Sequence, residues 1–172
     1  MADKQQVHIV LVGFMGTGKS TVSQLLARRL DCETIDVDAE IERREGRSIP
    51  EIFAHRGEAS FRKAETAALA DVLSHEERKV IATGGGAVLA PSNCELMLDS
   101  ALVVALTADA EQIISRVSQD ASRPLLQGDL RQRVNQLMED RKHAYDFAHL
   151  TIDTSKLNAH EVVDKIVAFL QQ

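Results

Sequence analysis

The stretch GFMGTGKS, residues 13–20, combines flexible glycines with one lysine and one terminal hydroxyl. It follows the apolar run HIVLV, residues 8–12, and precedes apolar residues at helical spacing, so we expect it to join a strand to a helix. Glycines in such a loop let backbone N–H groups converge on phosphate oxygens, and the positive end of the helix adds to the attraction. Lys19 would reach the β- and γ-phosphates, and the Ser20 hydroxyl would bind Mg²⁺. The pattern predicts a nucleotide site.

A second stretch, ETIDVDAE at residues 33–40, places two aspartates one residue apart at the end of a predicted strand. On an extended segment Asp36 and Asp38 would share one face and repel each other, unless positive charge lies nearby. The helical character of the following AEIERRE allows a different interpretation, in which the pair is a helix N-cap and a first-turn acid. The residues alone leave both interpretations open.

Four later stretches carry further groups that could take part in phosphoryl transfer. Arg62 and Glu65 lie three residues apart on a predicted helix, so the carboxylate could hold the guanidinium in place. Three glycines end the strand in ATGGGAVL, residues 82–89, where backbone could approach a ligand closely. Arg123 lies in a predicted loop, and Arg141 lies on a predicted later helix. Taken singly, these features are those of a surface ion pair, a turn and solvated arginines.

Composition limits the class of protein. The 172 residues are 44% apolar, which suits one domain with a substantial core. A net charge of −6, 3% aromatic residues and no tryptophan argue against nucleic-acid binding. The N-terminal sequence fits neither a signal peptide nor a membrane span, so we expect a soluble, cytoplasmic protein. Cys32 and Cys94 have no metal-binding spacing and are predicted to be buried, reduced thiols, and the six histidines suggest no ligand cluster.

Apolar runs and helical patterns alternate along the chain. Helices are predicted between the strands, including residues 57–74 and 130–147, and the predicted strands are residues 8–12, 33–37, 79–83, 101–106 and 149–153. This alternation is typical of an α/β fold in which helices cover a parallel sheet. Ligands in such folds bind beyond the carboxyl ends of the strands, which is where the two aspartates are expected.

The motifs GFMGTGKST, DVD, SIPEIF, GExxFRxxE, ATGGG and RPLL occur in this order, and through them the sequence resembles the shikimate kinases from Val7 to about residue 160. The resemblance implies a three-layer P-loop kinase fold with a five-stranded parallel sheet in the order 2-3-1-4-5. It implies a single domain with an acceptor-binding part at about 38–65 and a lid at about 118–130. The implied reaction is ATP-dependent phosphorylation of the 3-hydroxyl of shikimate, in the chorismate route to aromatic amino acids, by a monomer with no nucleic-acid or membrane partner.

Residue roles follow from the resemblance position by position. Asp38 corresponds to the proposed base, Arg123 to a lid arginine that reaches the transferring phosphate, and Lys19 completes the catalytic set. Arg62 and Arg141 correspond to the arginines that grip the shikimate carboxylate, and Arg116 to one that stacks on adenine. The implied nucleotide set is Gly13, Met15, Gly16, Thr17, Gly18, Lys19, Ser20, Thr21, Arg116 and Arg123; the shikimate set is Asp38, Phe53, Phe61, Arg62, Gly84, Gly85, Gly86 and Arg141; and the Mg²⁺ ligands are Ser20 and Asp36.

Two alternatives and one departure accompany this interpretation. A gluconate kinase would also phosphorylate a hydroxy acid with a P-loop, although paired arginines suit a planar carboxylate well. A nucleotide-gated binding module without catalysis is the alternative from another class. Where many members of the family have proline after the asparagine of the last loop, this chain has Ala159 after Asn158.

Overall fold

A computed structural model describes residues 7–119 and 129–172, and in these residues a five-stranded parallel sheet carries helices on both faces. The strand order is β2-β3-β1-β4-β5, which confirms the predicted topology. The strands are β1 (His8–Gly13), β2 (Glu33–Asp36), β3 (Lys79–Ala82), β4 (Ala101–Thr107) and β5 (Leu150–Asp153). The helices are α1 (Lys19–Arg29), α2 (Val37–Glu45), α3 (Ile49–Leu73), α4 (Pro91–Ser100), α5 (Ala110–Ser118), α6 (Leu130–Asp140) and α7 (Ala159–Leu170).

Strand β1 occupies the centre of the sheet, and all six of its residues are buried. It pairs in parallel with β3 on one side and β4 on the other. Because successive side chains point to opposite faces, Val10 and Val12 enter one core, while Ile9 and Leu11 enter the other. Burial on both faces explains why the strand is continuously apolar rather than alternating.

Three apolar clusters fix the helices to this sheet. One face packs against α2, α3 and α4, with Ile41, Leu69 and Met97 buried in the interface. The opposite face packs against α1 and α7 through residues such as Leu26 and Ile166. A third cluster joins the segment after β1 to α5 and α6. Helices therefore pack against both faces of the sheet near the carboxyl ends of β1, β2 and β3.

Two predicted boundaries are wrong in an informative way. The strand predicted at 33–37 ends at Asp36, because that residue caps the helix that begins at Val37. The helix predicted at 130–147 ends at Asp140, and residues 141–147 form turns instead. Apolar side chains of that turn segment, including Tyr145 and Phe147, pack against the main cluster. Helical periodicity in the sequence did not distinguish this packed turn from a longer helix.

Helix α3 extends beyond its predicted range of 57–74, and Gly57 interrupts it with a non-helical backbone. Its φ of 80° lies in the left-handed region, which side chains other than glycine seldom adopt. Residues eight apart on a straight helix are separated by about 12 Å along the axis. The rings of Phe53 and Phe61 nevertheless have centroids only 4.8 Å apart, so the interruption brings them together.

Within the described residues, no helix combines the length and the apolar character that a membrane crossing requires. Cys32 and Cys94 are both free thiols, as predicted, but they are half-buried rather than fully buried.

Substituting Leu69, which is 0% exposed on α3, tests the main core. Leu69→Ala should lower the free energy of unfolding by about 2–5 kcal/mol, because it removes buried methyl groups and leaves a cavity. Urea denaturation followed by circular dichroism measures this loss. The matched variant Leu98→Ala, at a position 38% exposed on α4, should cost less than about 1 kcal/mol. Equal losses in the two variants would contradict the packing described here.

Candidate active site

A cavity of about 360 Å³ opens at the carboxyl ends of β1, β2 and β3. It contains residues from all three sets predicted above, for the nucleotide, shikimate and Mg²⁺, together with Ala82, Thr83 and Val117. The predicted residues that line it are Met15, Gly16, Gly18, Lys19, Ser20, Thr21, Asp36, Asp38, Gly84, Gly85 and Arg116. The fold therefore brings a glycine-rich loop, two carboxylates and a second glycine loop into one space.

The loop after β1 leads into α1 without a side-chain cap. The N-cap residue is Gly18, whose φ of 94° lies in the left-handed region, and no side chain bonds the first turn there. Gly16 also has a positive φ, 76°, and a Cβ at that position would lie 3.0 Å from Val117 Cγ2. The backbone thus turns tightly and presents an uncapped helix N-terminus to the cavity, which is a suitable site for an anion.

Lys19 and Thr17 have different positions in this loop. The Lys19 ammonium donates to the carbonyl oxygens of Gly13 and Phe14 at 2.6 and 3.0 Å. The Thr17 hydroxyl is buried and donates to the carbonyl of Phe14 at 2.7 Å. Gly13 and Thr17 are not among the residues lining the cavity; both are buried behind it. Gly13 and Thr17 therefore lie on the buried side of the loop, whereas Lys19 lines the cavity.

The two aspartates lie on different elements, so the expectation of one shared extended face is wrong. Asp36 ends β2 as the N-cap of α2, and its carboxylate accepts a hydrogen bond from the Ala39 backbone at 3.2 Å. Asp38 lies in the first turn of α2. The alternative of an N-cap and a first-turn acid is confirmed, and both residues still line the cavity.

Asp38 is the most perturbed acid in the cavity. Burial raises its pKa from 3.8 to about 6, with the nearby charges of Asp36 and Glu65 adding to the increase and Lys19 opposing it. Among the buried side-chain oxygen and nitrogen atoms of the described residues, Asp38 Oδ1 is the one without a hydrogen-bond partner. A carboxylate of this kind, partly dehydrated and with an open acceptor, can take or bind the proton of a hydroxyl group.

The glycines at 84–86 make room for three charged groups. A Cβ on Gly84 would lie 2.8 Å from Asp38 Oδ1, and one on Gly86 would lie 2.5 Å from Arg62 Nη2. A Cβ on Gly85 would lie 3.3 Å from Arg141 Nη1. None of these three glycines has a positive φ, so lack of bulk rather than backbone freedom is what the loop requires. Asp38, Arg141 and Arg62 are each packed against one member of the triplet.

The Arg62 guanidinium is held from several sides. Its Nη1 donates to Glu65 Oε1 at 2.9 Å, and Glu65 is only 1% exposed. Its Cζ lies 5.3 Å from the centroid of the Phe61 ring, which in turn contacts Phe53. Burial raises the pKa of Glu65, and the hydrogen bond from Arg62 opposes that shift. The predicted Arg62–Glu65 interaction is therefore a packed ion pair and not a solvated one.

Arg141 directly follows α6 as its C-cap residue, and is not within the helix as predicted. Its Cζ lies 5.9 Å from the centroid of the Phe14 ring, which places the guanidinium between the two loops. Arg62 and Arg141 thus approach neighbouring glycines from different parts of the chain.

The Arg116 side chain forms a hydrogen bond with the backbone of the phosphate loop. Its Nη1 donates to the carbonyl of Gly16 at 2.8 Å, and its guanidinium also contacts the side chain and carbonyl of Thr154 at 3.3 Å. The buried Thr154 hydroxyl donates in addition to the carbonyl of Thr107 at 2.9 Å. Sequence analysis missed Thr154, because a single threonine after a strand carries no distinctive signal. Stacking of Arg116 on adenine stays a prediction.

Two further predictions concern the adenine side and the lid. Asn158 begins α7 with a capping box, in which its side chain accepts from the Glu161 backbone at 2.9 Å and Glu161 accepts in return at 3.1 Å. Ala159 occupies the first helical position, where proline is also well tolerated, so the departure from the family pattern leaves this cap intact. Arg123 and most of the predicted lid lie outside the described residues.

Ser20 and Asp36 provide hard oxygen donors at the phosphate end of the cavity. No group of three or more His, Cys, Asp or Glu side chains suited to a metal occurs in residues 7–119 and 129–172. Mg²⁺ is usually held by one or two protein oxygens together with phosphates and water, so this small donor set fits it.

Asp38 should affect stability as well as chemistry. Its folded pKa of about 6 lies above its usual 3.8, so folding takes up a proton between these values and ionised Asp38 destabilises the fold above pH 6. Asp38→Asn should therefore raise the free energy of unfolding by about 1–3 kcal/mol at pH 8 and by little at pH 4. Urea titrations at both pH values measure this difference.

The control for this pH dependence is Asp99→Asn, which removes an exposed carboxylate on α4. A gain at pH 8 that is the same in both variants, or absent from Asp38→Asn, would contradict the environment described for Asp38. Carbon-13 NMR of the Asp38 carboxyl group should show a titration midpoint near pH 6 directly.

Comparisons with known proteins identify the family of the chain. The sequence profile of the family described as shikimate kinase matches residues 15–171. A shikimate kinase of Pelotomaculum thermopropionicum is 45% identical over 166 residues, which cover 96% of each chain. The solved shikimate kinase of Acinetobacter baumannii in complex with shikimate has a TM-score of 0.90, is 38% identical, and is matched over 99% of this chain and 96% of its own.

A gluconokinase from Sinorhizobium meliloti has a TM-score of 0.65 at 18% identity, with 96% of this chain and 92% of that chain covered, and this likeness extends to the fold alone. The profile match and the 45% identity over nearly the full length of both chains indicate the same family. On these grounds the chain belongs to the shikimate kinase family.

Proposed function

We propose that this protein transfers the γ-phosphoryl group of ATP to the 3-hydroxyl of shikimate, giving shikimate 3-phosphate and ADP. The observation that carries the proposal is the convergence of Asp38, Arg62 and Arg141 on the glycines at 84–86, next to the phosphate loop. This arrangement suits a ring acid that carries both hydroxyl groups and a carboxylate. Membership of the family, and a structural relative solved with shikimate, support the same reaction.

The donor side binds the phosphates of ATP. Backbone N–H groups at the uncapped start of α1 and the Lys19 ammonium provide positive charge where the β- and γ-phosphates would lie. Ser20 and Asp36 would hold Mg²⁺, which when bound neutralises part of the phosphate charge. The proposed contribution of these groups is to position the γ-phosphate and to stabilise charge on its oxygens.

The acceptor side orients shikimate. Arg62 and Arg141 offer planar guanidinium groups that can bind one carboxylate, and Glu65 keeps the first of them in place. Phe53 and Phe61 form an apolar wall beside Arg62. Fixing the acid end of the ring in this way would leave one hydroxyl directed at the γ-phosphate, which reduces the entropy lost at the reaction step.

Asp38 lies between these two sides. Its open Oδ1 and its position in the first turn of α2 suit a group that accepts a hydrogen bond from the reacting hydroxyl. As that oxygen bonds to the γ-phosphorus, the bond from this phosphorus to the β–γ bridging oxygen breaks, ADP leaves, and the hydroxyl proton would pass to Asp38. Arg123, which lies outside the described residues, is proposed from the family resemblance to stabilise the transferring phosphate. Monomeric assembly and a cytoplasmic location are predictions of the same kind.

A coupled assay of ADP release tests the proposed reaction. The full chain with ATP and Mg²⁺ should release ADP in the presence of shikimate and not with gluconate, and omission of Mg²⁺ should abolish turnover. ADP release with gluconate and none with shikimate would overturn the proposal in favour of the alternative kinase. Nucleotide binding without turnover of either acid would favour a binding module.

Arg62→Ala should weaken shikimate binding by about 1.5–3 kcal/mol, because it removes a charge-assisted hydrogen bond to the carboxylate. The affinity for ATP should remain nearly unchanged. Isothermal calorimetry with each ligand separates the two effects. Arg29→Ala removes an exposed arginine at the C-terminal end of α1, where it pairs with Asp164 of α7, and should leave both affinities as they were. Similar weakening for ATP and shikimate in Arg62→Ala would contradict the assignment.

Asp38→Asn should lower kcat by about 10²- to 10⁴-fold if the carboxylate accepts the proton. Rapid-quench measurement of shikimate 3-phosphate formation reports this step. A decrease of less than tenfold would show that Asp38 only positions the hydroxyl, which a loose transition state with little need for a base would permit.

A further inference from the structure

We propose that Tyr145 is a positioning residue for the acceptor site, acting through the backbone of Gly85. This inference rests on the proposed function, because it assigns Tyr145 a role in shikimate binding. Tyr145 was not among the residues that sequence analysis selected. It lies in the turn segment that follows α6, and its hydroxyl reaches across to the glycine loop.

The hydroxyl of Tyr145 donates to the carbonyl of Gly85 at 2.8 Å. The described peptide bonds are trans, so the C=O and N–H groups of one peptide unit point in opposite directions. With the Gly85 carbonyl directed at Tyr145, the N–H of Gly86 points away from it. The hydrogen bond therefore sets the orientation of a peptide unit whose two glycines contact Arg141 and Arg62.

Tyr145 also belongs to the same short segment as Arg141. The backbone N–H of Ala144 bonds the carbonyl of Arg141 at 3.0 Å, so the segment is a compact turn. Burial raises the pKa of the Tyr145 hydroxyl, and the positive charge of Arg141 opposes the increase. Tyr145 thus links the arginine that approaches Gly85 to the backbone of Gly85 itself.

Packing holds the ring of Tyr145 independently of its hydroxyl. The ring packs against two apolar clusters, the one on the α3 side of the sheet and the one beneath α5 and α6. Removal of the hydroxyl alone should therefore leave the ring in place and free the Gly85 peptide to reorient. This separation makes Tyr145→Phe a specific test of positioning.

Steady-state kinetics of Tyr145→Phe should show a KM for shikimate raised by about 3- to 12-fold, the range expected for loss of one hydrogen bond. The KM for ATP should stay within about twofold. Ser74→Ala serves as the control, because it removes another hydroxyl-to-carbonyl hydrogen bond, from Ser74 to Asp71 at 2.6 Å, outside the site. An unchanged KM for shikimate in Tyr145→Phe, or an equal rise for both substrates, would overturn the proposal.

The sequence permits a second test without any substitution. It contains one tyrosine and no tryptophan, so growth with 3-fluorotyrosine labels position 145 alone. Shikimate added without nucleotide should shift the single fluorine resonance, and ADP alone should leave it unshifted, because the hydroxyl faces the acceptor-side loop. A resonance that does not respond to saturating shikimate would overturn the proposal even if Tyr145→Phe fails to fold.

The proposed function and the positioning role of Tyr145 can be contradicted separately. Wild-type protein that releases no ADP with shikimate would contradict the proposed function. Wild-type protein that is active with shikimate, together with a Tyr145→Phe variant of normal KM, would contradict the positioning role alone.

Discussion

Residues 84, 85 and 86 have no side chains, and three charged groups from three segments can therefore meet at one loop. Asp38 comes from α2, Arg62 from α3, and Arg141 from the turn after α6. A methyl group at any of the three positions would lie within 3.3 Å of one of these groups. The sheet places the loop beside the phosphate loop, since β3 is the direct neighbour of β1. The distance between donor and acceptor sites is thus set by adjacent parallel strands.

The two buried carboxylates near this loop, Asp38 and Glu65, differ in their partners. Burial and neighbouring acids raise the pKa of Asp38, and the positive charge of Lys19 opposes the increase. Glu65, also buried, is paired with Arg62 and so does not remain an isolated charge. Glu65 is hydrogen-bonded and holds Arg62 in place, whereas Asp38 keeps one oxygen without a hydrogen-bond partner. That difference follows from position in the fold, because both residues are ordinary acids in the first or middle turns of helices.

The phosphate loop and the Arg62–Glu65 pair could be predicted from the residues, because each depends on spacing within a short segment. The strand order was implied by the resemblance to the shikimate kinases, and the fold confirms it. The elements that carry Asp36 and Asp38 could not be predicted, because strand and helix patterns overlap at that point and the helix cap decides between them. Thr154 and Tyr145 were missed for another reason. Each acts through a backbone carbonyl far along the chain, at Thr107 and Gly85, and a contact of that kind has no local pattern. Long-range contacts to backbone are settled by packing, not by motif.

The interruption at Gly57 has a consequence for how the protein folds. Phe53 and Phe61 make their contact across a short stretch of chain, so the entropy lost in closing that loop is small. The contact between Tyr145 and Gly85 joins residues 60 apart, so closing that longer loop costs more entropy. We expect the contact between Phe53 and Phe61 to form early, and the approach of Arg141 to Gly85 to be completed late. The contacts of the proposed acceptor site would then form in order of their separation in sequence, with the aromatic contact first and the charged groups last.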